Sequence, residues 1–94
     1  MMTIETLKNF FATHIGDNVW MVLDGDGGAG PSLPEITEDM SAYIEDLDGW
    51  RVTDNKVPSE EFEGVVEDIE QYTVIEFANP YRPQSIQFLL WDVD

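Results

Sequence analysis

The chain contains no cysteine, one histidine (His14) and only four basic residues in 94 positions: Lys8, Arg51, Lys56 and Arg82. Without cysteine there are no disulfides and no thiol chemistry, a composition that suits a cytoplasmic protein. A lone histidine, and no Gly-x-Ser-x-Gly elbow around Ser32, Ser41, Ser59 or Ser85, exclude most nucleophile–base arrangements. No His/Cys cluster offers a transition-metal site. Carboxylates are plentiful, but glycoside hydrolysis needs one specific pair flanking a sugar cleft, which so small a domain seldom builds. The expectation is a non-enzyme with no cofactor and no metal. The scarcity of cations also removes the basic patch that direct binding to nucleic acid or an anionic membrane requires. No apolar run approaches the roughly 20 residues of a membrane span. Met1 to Lys8 lacks the basic start and apolar core of a signal peptide, so the protein is expected to stay in the cytoplasm where it is made.

What is present is acid and aromatic surface. Twenty Asp and Glu residues give a formal charge of −16, yet 43% of the chain is hydrophobic, with three Trp, three Tyr and five Phe. Disordered acidic tails lack such apolar content. The length fits one domain, residues 1–94, with one modest core. Self-repulsion opposes folding of so charged a chain, and a cationic partner relieves it, so the natural partner is basic.

Along the chain, Thr3 caps a first helix that carries Ile4, Leu7, Phe10, Phe11 and Ile15 inward, with His14 in its last turn and Gly16 as its stop. Val19 to Leu23 reads as a buried strand. Asp24 to Pro31 is a glycine-rich acidic turn. Asp24, Asp26 and Glu35 hold the first, third and twelfth places of a calcium loop, but Gly28, Ala29 and Pro31 occupy places such a loop gives to other residues. Its glycines make no phosphate cradle, since no Lys-Ser/Thr follows. Ser32 and Glu35 have capping-box spacing and open a second helix that Asp48-Gly49 ends, with Ile36, Met40, Tyr43, Ile44 and Leu47 inward. Trp50 to Thr53 is a strand, and Asp54 to Lys56 a turn. Pro58-Ser59 opens a third helix, with Phe62, Val65, Val66 and Ile69 inward and Gly64 as a weak point. Tyr72 to Phe77 and Ser85 to Val93 are strands joined through Asn79 to Gln84. Trp20, Trp50 and Trp91 read as core residues. The expected fold is α+β: about three helices packed on a mainly antiparallel sheet of about four strands. The last strand is apolar on both faces, which implies either helices on both sides of the sheet or an interface between copies, and so leaves a homodimer open.

The acids concentrate on two of these helices. Glu35, Glu38, Asp39, Glu45, Asp46 and Asp48 face outward from one; Glu60, Glu61, Glu63, Glu67, Asp68 and Glu70 face outward from the other. These twelve are the candidate partner-binding residues. Glu35 with Asp39, and Glu63 with Glu67, are like-charge pairs four apart, each costing a helix about 0.2–0.5 kcal/mol. Asp68, Glu70, Glu45, Asp46 and Asp48 lie at the negative helix end, where an acid costs about 0.3–1 kcal/mol. A solvated acidic surface, as in halophilic proteins, is the plain reading. The functional reading is mimicry, since carboxylates on successive helical turns lie about 5–6 Å apart, similar to phosphates along a nucleic-acid strand.

In length, charge and acidic α+β style, across the whole chain, the sequence resembles the small acidic phage-encoded DNA-mimic inhibitors of anti-CRISPR and anti-restriction type. The resemblance implies a host-defence inhibitor acting inside a bacterial cell. Its target would be the basic DNA-binding surface of a CRISPR effector complex, at the region that reads the PAM or receives the duplex. The acids would replace phosphates and exclude target DNA by charge and bulk. The alternatives are an immunity-type protein capping a basic nuclease toxin, with Tyr or Trp anchors, and an acidic protein-interaction module of a larger assembly.

Overall fold

A computed structural model describes residues 3–24, 30–45, 49–54, 56–81, 83 and 85–91, apart from the side chains of Asp24 and Glu45. Helix α1 spans Ile4–Thr13, and Thr3 Oγ1 caps it by accepting the Thr6 N–H at 3.1 Å. Leu7, Phe10 and Phe11, on the inward stripe, are buried. His14 is the C-cap, its N–H donating to Phe11 O at 3.2 Å, and Gly16 then takes φ 96°, a conformation that disfavours any side chain. Ile15, expected to face inward, is exposed because it lies past the helix end, where helical periodicity no longer orients it.

Four strands, β1 (Trp20–Asp24), β2 (Arg51–Thr53), β3 (Thr73–Ala78) and β4 (Ser85–Leu90), form an antiparallel sheet in the order β1-β4-β3-β2. Helix α2, Glu38–Glu45, packs beside α1, where Ser41 Oγ donates to Lys8 O at 3.2 Å. It begins later than the capping-box spacing implies. Ser32 instead exchanges two backbone hydrogen bonds with Met21 (2.9 and 3.0 Å), and Val19 N–H donates to Pro34 O. The cause is the proline pair: Pro31 and Pro34 push Gly30 and Leu33 out of the helical region, so residues 30–36 run extended along the outer edge of β1. This cover also blunts an edge strand that would otherwise invite pairing with another chain.

Among the described residues the chain is therefore α+β with two α-helices, not three. Where a helix over 59–70 is expected, there are two 3₁₀ turns, Glu60–Phe62 and Ile69–Gln71. Gly64 sits between them at φ 86°, and Glu63 is extended. The charge pattern explains the break. A continuous helix would align Glu63 over Glu67 and crowd Asp68 and Glu70 onto its negative end, whereas a left-handed glycine separates them.

The core divides at the sheet. On one face, Met21, Ile75, Phe77, Phe88 and Leu90 meet Leu7, Phe10, Phe11, Ile36, Met40 and Ile44 from the helical side. On the other, Val22, Val74 and Leu89 meet Phe62, Val66 and Ile69 from the acidic crossover. The two apolar faces of β4 are thus both covered within one chain. Trp50 stacks on Phe77 at 4.9 Å. Among the described residues no helix is long and apolar enough to cross a membrane.

Candidate functional site

The placement of the acids follows from that division. Glu38 and Asp39 are exposed in the first turn of α2, on the helical side of the sheet. Glu35 is exposed too, but it lies in the extended edge segment, bridged to Asn18, and not on the helix. Glu45 closes α2, while Asp46 and Asp48 lie outside the described residues, as does the stretch 25–29 with Asp26 of the calcium-like spacing. Among the described residues no group of three or more His, Asp or Glu side chains is placed to hold a metal ion. Glu60, Glu63, Glu67, Asp68 and Glu70 are exposed on the crossover, which covers the opposite side of the sheet. The two acidic segments therefore do not form one flat surface; they lie on opposite faces of a slab 30 × 30 × 23 Å.

One further candidate and one stripe residue also differ from the sequence reading. Glu61 does not point fully outward: it is half-buried, and its Oε2 is enclosed with no hydrogen-bond partner. Tyr43, expected in the inward stripe of α2, is 62% exposed. The helix starts only at Glu38, and its contact face is set by Met40 and Ile44, which leaves Tyr43 beside an apolar groove of about 250 Å³ lined also by Met21 and Phe88.

The crossover is fastened by one polar residue in an apolar wall. Gln87, on β4, is buried; its Oε1 accepts the Ser59 N–H at 2.8 Å and its Nε2 donates to Val57 O at 3.2 Å. Both amide ends are thus satisfied by backbone groups of the acidic segment. Nearby, the Lys56 N–H donates to Val74 O, and Lys56 Nζ lies 3.5 Å from Glu76. Lys56 and Arg51 sit on the β2 side of the sheet, away from β1 with its neighbours Asp17 and Glu35. Ser59, expected to open a helix, caps only the first 3₁₀ turn, accepting the Glu61 N–H at 3.3 Å.

A second cavity, of about 390 Å³, opens at the end of the sheet where β1 begins and β4 ends. Its walls are Trp20, Tyr72, Trp91, Leu33, Asn18 and Gln71. Trp91 stands edge-on against Phe10 at 5.1 Å and His14 at 5.4 Å, and His14 Nδ1 donates to Phe10 O at 2.7 Å. The single histidine thus packs against one wall of this cavity, Trp91. The sequence reads the tryptophans as core, with an exposed one open as a partner anchor; the half-burial of Trp20 and Trp91 is a property of the sheet end that strand periodicity does not reveal.

Comparison of the chain with protein-family models, curated proteins and solved structures finds no match.

Proposed function

We propose that this protein is a DNA-mimic inhibitor of phage origin that occupies the basic DNA-binding surface of a bacterial defence complex. The DNA-binding subunit of a CRISPR effector is the favoured target. The supporting observation is charge density on a small folded body with acids on both sides. Duplex DNA carries one charge per about 1.7 Å, so 30 Å of duplex carries roughly 18; this chain carries −16 in all, and its fold is 30 Å across. A channel that clasps a duplex touches it on more than one side, and acids on both faces of the sheet suit such a channel. Opposite fields would steer the encounter, and bound inhibitor would exclude target DNA by charge and bulk.

A charge-neutralisation series tests this. Glu38→Gln with Asp39→Asn removes charge on the helical side; Glu63→Gln with Glu67→Gln removes it on the crossover. Mimicry predicts that each pair weakens binding to the target by about three- to tenfold and that the losses add, because exposed charges contribute singly and weakly.

A second reading, an immunity-type protein capping a basic nuclease toxin, is favoured by the exposed Tyr43 beside its apolar groove. An aromatic anchor flanked by acids is the form of a compact epitope. There, Tyr43→Ala and the α2 pair abolish binding while the crossover pair changes nothing.

A further inference from the structure

We propose that the cavity between Trp20, Tyr72 and Trp91 is an anchor site for an arginine side chain of the basic partner, an inference that rests on the reading of that partner as basic. Three aromatic side chains from different parts of the chain meet there. Trp20 and Tyr72 lie on the same face of the sheet by register, since Trp20 and Val74 both pair with Leu89 and Tyr72 is two residues before Val74. Trp91 is held in place by its edge contacts with Phe10 and His14. Indole and phenol faces attract a cation, and a planar guanidinium, more weakly hydrated than an ammonium, stacks on them best.

The rest of the lining suits a donor-rich guest. Asn18 Nδ2 donates to Leu33 O at 3.1 Å, which fixes the amide and leaves Oδ1 as an acceptor. Gln71 supplies a second exposed amide.

Charge selects the guest. The walls themselves carry no charged side chain, and the acids stand beside them. Glu35 is bridged directly to Asn18, Glu70 immediately precedes Gln71, and Asp17 immediately precedes Asn18. With Glu35 paired to the wall residue Asn18 and a formal charge of −16 on the chain, an anionic guest is repelled and a cation is drawn in. Arginines are abundant on surfaces that hold phosphate backbones. One that normally grips a phosphate would here stack between the aromatic walls.

The test needs no partner. Indole N–H resonances of the intact protein are followed at physiological salt while N-acetyl-arginine amide is added, with the isosteric but uncharged citrulline derivative as control. The proposal predicts saturable shifts at Trp20 and Trp91, none at Trp50, and none with citrulline. Equal shifts at all three indoles, shifts with citrulline, or no shift at all would overturn it. With the captured target in hand, Trp20→Leu should weaken binding about tenfold, with the Trp50 and Trp91 resonances confirming the fold. Undiminished binding of that folded variant would remove the anchor and leave mimicry standing. A positive arginine titration with no nucleic-acid-binding target would remove mimicry and leave the site.

Discussion

At Gln87 and Glu61 polar groups meet the apolar wall beneath the crossover. Gln87 satisfies Ser59 N–H and Val57 O from inside the fold. Gln87→Leu keeps the volume but leaves two backbone groups near the core without partners, each costing about 1–3 kcal/mol. Urea denaturation should therefore show a loss of roughly 2–4 kcal/mol; a loss below about half a kcal/mol would mean the clasp is not holding the segment. Glu61 is the converse case. Its enclosed Oε2 has no partner, so Glu61→Met should stabilise the protein by about 1 kcal/mol, and a destabilised variant would mean that oxygen is satisfied in solution. Neither residue was legible in the sequence. Glu61 is one of six acids among the twelve residues 59–70, and Gln87 alternates with apolar neighbours as any strand polar residue does. His14 was legible as a helix-end residue because Gly16 follows it at the spacing a helix stop requires.

At the scale of elements, the strands and α1 followed from pattern, since β-branched and aromatic runs and a capped apolar stripe leave few choices. The two acidic stretches did not. Phe62, Val66 and Ile69 do face the core, as helical spacing implies, but they reach it through two short turns around Gly64. Three of the four expected apolar contacts are kept and only Val65, expected inward, turns out to solvent at 49% exposure, so hydrophobic periodicity barely separates the two geometries; the like-charge pairs and the glycine are what distinguish them. The same observation revises one argument for function. Acids that would burden a helix impose no such cost where no helix forms, so the crossover's charge pattern is compatible with its own local structure, and the case for mimicry rests on the total charge and its distribution. Gly64→Ala distinguishes the geometries by sign. In a helix alanine would gain about 1 kcal/mol; at φ 86° it should cost about 1 kcal/mol or more. A stabilised variant would restore the helix. Ser32 to Glu35 carried a second misleading signal, because capping-box spacing coincided with two prolines that hold the backbone extended.

For the whole molecule, the sheet separates the two acidic segments, and the helices on one side with the crossover on the other cover both faces of β4, so the strand needs no second copy to bury it. The sequence revealed the charge but not its arrangement, since which face each segment crosses is a matter of topology and not of local pattern. The central claim is that this charge takes the place of DNA. The most direct measurement is capture of targets by the immobilised protein from a CRISPR-bearing bacterial lysate, at about 0.05 M and about 0.2 M salt, with and without duplex DNA as competitor. Phosphate-like contacts predict a nucleic-acid-binding complex that duplex DNA displaces and that the higher salt weakens by at least tenfold, as expected where several ion contacts are broken together. A captured partner whose binding is indifferent to duplex DNA would contradict the account.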